Sequence, residues 1–231
     1  MNHDGMAASP TTVLIVDDQD LVRTGLEMIV GAAADLEVVG QAADGGEAVR
    51  EAQRLRPDVV LMDVRMPTMD GIEATRQILA TCPDPGPRVL MLTTFDLDDY
   101  VFEAFAAGAS GFLVKDAARQ TLLDGIRAIA LGEGLASPSV TRRLIERVVA
   151  APAHPTAARP RVLDDLTPRE HEVFVEIARG HSNPEIATRL FLSEKTVKTH
   201  VGRILMKLGV RDRVQAVVLA YEAGVAVPGR S

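Results

Sequence analysis

Through its first 130 or so residues the chain alternates short apolar runs with longer stretches in which apolar residues recur every three or four positions. The runs are TVLIVD (12–17), LEVVGQAA (36–43), DVVLMD (58–63), RVLMLT (88–93) and GFLVK (111–115). Their length and density fit strands buried on both faces. Between and after them lie 20–33, 44–55, 71–81, 97–107 and 117–131, whose spacing predicts helices. Five strands alternating with five helices predict an α/β doubly wound, five-stranded parallel sheet. Gly and Pro punctuate this pattern. Gly45-Gly46 stands at the turn into the second helix, Pro57 follows that helix, CPDPGP (82–87) stops the third, and Gly132 and Gly134 close the fifth.

Beyond this region the period changes. SPSVTRRLIERVVA (137–150) predicts a short helix begun by Ser137-Pro138, and the Ala- and Pro-rich APAHPTAARP (151–160) predicts an extended linker. From residue 165 the pattern is all helical. Thr167, Pro168 and Glu170 are spaced as a capping box, opening a helix to about Arg179. Asn183-Pro184 opens a second to about Leu190, Ser193 caps a third over 194–208, and a fourth spans roughly 212–223. The expected second domain is therefore an all-α unit of four helices.

Composition narrows the picture. With 47% hydrophobic residues, only 3% aromatic and no Trp, the 231-residue chain should fold around an aliphatic core. The single cysteine, Cys82, rules out an internal disulfide and a cysteine-based zinc site. The five histidines are not spaced as metal ligands along one helix. No run approaches the ~18 apolar residues of a membrane span, and MNHDGMAASPTT does not read as a signal peptide, so a cytoplasmic, non-membrane protein is expected. The net charge of −7 is unevenly spread. Residues 1–160 hold 14 basic and 23 acidic residues, net −9, whereas 161–231 hold 11 and 9, net +2. Within 193–213, six basic residues face two acidic ones. The two parts should meet different partners, and the second has the focused positive charge that nucleic acid attracts.

The strand ends carry the candidate chemistry. In a parallel sheet the carboxyl ends of the strands share one edge, where ligands bind. Strand one ends in Asp17-Asp18, strand three in Asp63, strand four in Thr93-Thr94, and strand five in Lys115. Any one of these acids is accounted for as a cap of the next helix, as expected for Asp20 and Asp70. Convergence from four strands is not accounted for that way. Clustered carboxylates repel unless a cation holds them, and an all-oxygen donor set suits Mg²⁺. A carboxylate beside such a cation can attack phosphorus, with Lys115 and Thr93 placed to meet the phosphoryl oxygens. Asp63 then closes its strand as a nucleophile, and Pro67 and Gly71 shape the loop after it.

With these residues in view, 11–131 resembles the flavodoxin-like receiver domain of bacterial two-component response regulators. The motifs are Asp17-Asp18, MDVRMPTMDG, Thr93, GASGFLVK and Lys115, with Thr93 30 residues after Asp63 and Lys115 22 after Thr93. The resemblance implies that Asp63 accepts a phosphoryl group from a phosphohistidine on a sensor histidine kinase. It implies that Asp18, Asp63 and the carbonyl of Arg65 hold Mg²⁺, with Asp17 helping through water. Thr93 and Phe112 match the switch pair, and Lys115 the contact to the phosphoryl oxygens. Asp116 departs from the Pro that follows this lysine in many receivers.

In LSEKTVKTHVGRILMKLGV (192–210), Val197, Val201, Ile204, Leu205 and Leu208 share one face, with Lys195, Lys198, Thr199, Arg203 and Lys207 largely off it. An apolar back and a basic front suit a helix in a DNA major groove, although a solvated helix of a bundle has the same pattern. The segment 165–225 resembles the LuxR-type helix-turn-helix of the NarL/FixJ subfamily, in which it follows a receiver. That resemblance implies base contacts from Lys198, Thr199 and Gly202. It implies backbone contacts from Thr196, His200, Arg203 and Lys207, beside the basic Lys195. Gly202 is a departure, because a polar or basic side chain is often found there. The family also implies that 212–223 dimerises the DNA-bound form.

The expected domains are then a receiver (11–131), a linker with a short helix (132–164) and a helix-turn-helix domain (165–225). The expected function is a transcription factor, not an enzyme, that binds double-stranded promoter DNA and forms a homodimer when phosphorylated. Without phosphate the acidic receiver would restrain the recognition helix. Two alternatives remain. DQDLV (18–22) fits the pattern of haloacid-dehalogenase-type phosphatases, in which the nucleophile ends strand one. A receiver that is never phosphorylated would serve only as an interaction module.

Overall fold

Apolar runs of this density cannot sit at a surface, and in the structure, a computed structural model, they form the middle of a sheet. The structure describes residues 9–82, 86–93, 103–132 and 161–225. The strands are β1 (Thr11–Val16), β2 (Leu36–Ala42), β3 (Val59–Asp63), β4 (Arg88–Thr93) and β5 (Gly111–Val114). They lie in the order β2-β1-β3-β4-β5 in one five-stranded parallel sheet. Val13 to Val16 of β1 and Val59 to Met62 of β3 are fully buried, as strands covered on both faces require.

Among the described residues, the helices α1 (Asp20–Gly31), α2 (Gly45–Leu55), α3 (Gly71–Thr81) and α4 (Arg119–Ala130) accompany the sheet. Two starts differ from the sequence expectation. Asp44 caps α2 by accepting from the Glu47 N–H, so Gly45 is the first helical residue. Gln19, not Asp20, is the residue before α1; Asp20 lies in the first turn and pairs with Arg23. Asp70 caps α3 as expected, accepting from the Glu73 N–H. Of the helix expected over 97–107, residues 103–106 are helical and the part before 103 lies outside the described residues. The helix expected over 137–150 and the linker over 151–160 lie outside them entirely.

The described residues group into two compact units. One is drawn from Met1–Thr94 and Leu113–Ala130, the other from Phe95–Phe112 and Leu131–Ser231. In the second, a 3₁₀ turn at Arg161–Asp165 precedes α5 (Pro168–Ala178), α6 (Asn183–Leu190), α7 (Glu194–Leu208) and α8 (Arg213–Glu222). Their starts follow side-chain chemistry closely. Thr167 and Glu170 form the expected capping box on α5. Ser182 and Glu185 do the same on α6, and Ser193 accepts from the Thr196 N–H at the head of α7. Asp212, fully buried, accepts from the Val214 and Gln215 N–H groups at the head of α8. Phe174, Ile177, Ile186, Val197, Ile204 and Ala216 fill the space between these helices. Among the described residues no helix is long and apolar enough to cross a membrane.

Candidate functional site: a carboxylate rim and a basic helix face

The register of the sheet builds the rim. Val16 of β1 stands opposite Met62 of β3, so the next residues, Asp17 and Asp63, come side by side at the carboxyl edge of the sheet. Asp63 is itself paired with Leu92 of β4. Lys115 follows β5, and its N–H donates to the Thr93 carbonyl at 2.6 Å, which sets its side chain beside the other strand ends. Gly71 completes the local shape. A β-carbon there would lie 1.9 Å from the Asp63 carbonyl oxygen and 2.9 Å from Met62 Cγ. Only a residue without one lets α3 start this close to the end of β3.

Asp17, Asp18 and Asp63 each offer a carboxylate oxygen, all within 4.8 Å of one another. Asp17 and Asp63 are buried, and Asp18 is exposed. The Lys115 ammonium lies 2.5 Å from Asp17 Oδ2 and 2.9 Å from Asp63 Oδ2. Asp17 Oδ2 has no other hydrogen-bond partner among the described residues, while Oδ1 accepts from the Gln19 N–H. One ammonium thus faces three acids, an excess of negative charge that a hard divalent cation such as Mg²⁺ could offset with these oxygen donors. Burial pushes the Asp63 carboxyl above its usual range, and the Asp17 charge adds to this, outweighing Lys115 and the Arg65 backbone N–H. Burial disfavours the Lys115 ammonium, but its bonds to Asp17 and Asp63 outweigh that and raise its pKa. Thr93 ends β4, buried, and Phe112 lies buried in β5. The Arg65 side chain is exposed just after β3.

In the helical unit α7 carries all eight residues singled out for DNA. Lys195, Lys198, Thr199, Gly202 and Arg203 are exposed, whereas Thr196, His200 and Lys207 are half-buried. Several are already occupied. The Thr196 hydroxyl lies 2.7 Å from Ser193 Oγ, and the Thr199 hydroxyl donates to the Lys195 carbonyl at 3.0 Å. Lys207 donates to Glu170 at 2.6 Å and to the Asp165 carbonyl at 3.0 Å, so its charge is spent inside the unit. Lys207 first and then the Thr167 backbone hold the Glu170 carboxyl down to about 2, against the upward push of burial. Ser193, Lys195, Thr196, Thr199, His200 and Arg203 line a shallow cleft of about 330 Å³ along the helix. Two residues escaped the sequence reading. Met206, exposed, extends the outer face of α7, a placement its four-residue spacing from Gly202 could have given. Phe191, also exposed, ends α6 at a φ of 55°, and nothing in its sequence context announces it.

Comparison with known proteins agrees with both halves. Residues 13–127 match the response regulator receiver domain, and 164–220 match the bacterial regulatory proteins of the luxR family. The chain is 42% identical over 213 residues to the uncharacterized transcriptional regulatory protein YxjL of Bacillus subtilis, covering 92% of this chain and 96% of that one. It is 40% identical over 210 residues to the response regulator protein VraR of Staphylococcus aureus, covering 91% and 96%. Among solved structures, the response regulator ChrA of a heme-sensing two-component system is 35% identical with a TM-score of 0.51, covering 94% of this chain and all of that one. Receiver fold, strand-end acids and helical second unit therefore have one explanation: the chain belongs to the two-component response regulators that join a receiver to a LuxR-type DNA-binding domain.

Proposed function

We propose that Asp63 is the phosphoacceptor and that its phosphorylation controls the binding of α7 to double-stranded promoter DNA. The observation that carries this reading is the meeting of Asp17, Asp18 and Asp63 within 4.8 Å, with Lys115 reaching two of them. In the transfer, an Asp63 carboxylate oxygen attacks the phosphorus of a sensor kinase's phosphohistidine. The phosphorus–nitrogen bond breaks, its electron pair stays on the imidazole, and that nitrogen takes up a proton. The product is an acyl phosphate on Asp63. Lys115, 2.9 Å from Asp63, then has a phosphoryl oxygen to pair with. Thr93 supplies a hydroxyl at the end of the adjacent strand, and Phe112 is the aromatic partner of that switch. Asp17, Asp18, Asp63 and the Arg65 carbonyl would hold Mg²⁺, which supplies positive charge against the phosphoryl oxygens. The chain does chemistry only on its own phosphoryl group.

The output is carried by α7. Lys195 and Arg203 offer charge to phosphates, and Lys198, Thr199 and Gly202 face bases. Lys207 acts through Glu170, holding α7 to α5. The working domains are 11–131, 132–164 and 165–225, with a cytoplasmic setting and a homodimer once phosphorylated. Treatment with acetyl phosphate and Mg²⁺ should label the wild type and tighten its binding to a promoter duplex, and Asp63→Asn should lose both. Labelling that survives in Asp63→Asn would move the acceptor elsewhere. Phosphodonor-stimulated binding that survives would break the coupling.

A further inference from the structure

Gly202 sits in the interior of α7, where glycine weakens a helix. A fold tolerates this when a side chain would strike a neighbour, as at Gly71. At Gly202 a β-carbon would meet nothing within 4 Å. Packing within the unit therefore gives no reason for the missing side chain, and the exposed face on which a partner would dock offers one.

That face has a definite character. Thr199, Gly202 and Met206 are spaced three and four apart, so they form one row on the helix. The Thr199 hydroxyl is turned back to the Lys195 carbonyl, which leaves its methyl as the outward group. Gly202 contributes bare backbone, and Met206 an exposed thioether chain. The row is apolar, with basic Lys195 and Lys198 at its amino end and Arg203 on its flank. Seven residues at the helical rise span about 10 Å, or about three base-pair steps. In a major groove, the one base-edge group that an apolar row can recognise is the thymine C5 methyl.

We infer that Gly202 is a clearance notch that lets α7 sit close to the base edges, and that Thr199 and Met206 read thymine methyl groups on either side of it. This rests on the reading of α7 as the DNA-contacting helix. Shape and methyl contact along this row then add specificity, while Lys195 and Arg203 set overall affinity through phosphates.

The test uses the full chain, treated with acetyl phosphate and Mg²⁺, and the duplexes it selects from a random library. Gly202→Ala should melt higher than the wild type, because the helix gains a better former. It should nevertheless bind the selected duplex at least tenfold more weakly, with little change on unselected duplex at low salt. Replacing single thymines by uracil removes only the methyl. At one or more positions this should cost wild-type binding about fourfold, the worth of one buried methyl group, and Met206→Ala should erase the penalty at one of them. Gly202→Ala binding as tightly as the wild type, or selected duplexes indifferent to every uracil, overturns the inference while leaving DNA binding intact. A wild-type chain that selects no duplex brings down the DNA reading and this inference together.

Discussion

The carboxylate rim and the outer face of α7 are built by opposite means. The rim gathers residues from positions 17, 18, 63, 93 and 115, and only strand order and register bring them together. Its groups are mostly buried, close and strongly coupled, with one ammonium against three acids. The face of α7 is set by fifteen consecutive residues and the helical period alone, and its groups are mostly exposed. Buried coupled charges respond strongly to the loss of one member, whereas exposed ones are screened and respond weakly. A site made by topology is therefore fragile to point changes and sensitive to ions. A site made by one helix tolerates changes to its fold and registers them mainly in binding.

Lys115→Met should test the fragile side hardest. It leaves the buried Asp17 and Asp63 facing each other without their shared cation, and breaking a buried pair in this way costs about 3–5 kcal/mol. If the three acids hold a divalent ion, that ion should restore part of the loss. Urea unfolding in EDTA should then show the full destabilisation, and unfolding in millimolar Mg²⁺ a clearly smaller one. An equal loss in both buffers would mean that the acids do not share an ion.

Gly71→Ala and Gly202→Ala make the same chemical change in the two regions. At Gly71 the new carbon would lie 1.9 Å from the Asp63 carbonyl, so α3 or β3 must move. Overpacking of this kind costs about 1–3 kcal/mol, and the displaced Asp63 should take up phosphate more slowly from acetyl phosphate. Melting should fall at Gly71 and rise at Gly202. A stable Gly71→Ala chain with normal labelling would show that the rim adapts, contrary to its buried, register-fixed construction.

The same contrast explains what the sequence could reveal. All five strands were legible, because runs such as VVLM have no place except between two covered faces. The helix starts at Asp70, Thr167 and Ser193 were legible because capping is local chemistry. Asp17, Asp18, Asp63, Thr93 and Lys115 could be named from their places at strand ends. What escaped was pairing. No spacing rule states that Lys115 bridges Asp17 and Asp63, or that Lys207 turns inward to Glu170, 37 residues away. A lone lysine in a sequence shows a charge that suits a phosphoryl or phosphate oxygen, but not which acid of the fold it also holds. Asp20 and Gly45 show a smaller shift, in which a neighbour takes the capping position and the register of the helix start moves by one.

The Glu170–Lys207 pair offers the mildest test, because it puts one buried, ion-coupled contact inside the otherwise locally determined region. Glu170 is held down to about 2, first by Lys207 and then by the Thr167 backbone, against an ordinary value of 4.5. A carboxyl depressed by folding stabilises the native state fully above its unfolded value and loses that contribution as the pH falls toward its folded one. The stabilisation should therefore be complete above about pH 5 and fade between about 4.5 and 2. Lys207→Met removes the first cause and should cost roughly 1.5–3 kcal/mol near neutrality, the worth of a hydrogen bond to a charged group. Amide hydrogen exchange in α5 and α7 reads this locally in the full chain. Wild type and Lys207→Met should differ at pH 6 and converge as the pH drops toward 2.5, where Glu170 becomes protonated in the variant first and then in the wild type. A gap that stays constant over that range would mean that Lys207 stabilises α7 by packing its methylene chain rather than by charge. The pair would then be no counterpart to the coupled chemistry of the rim.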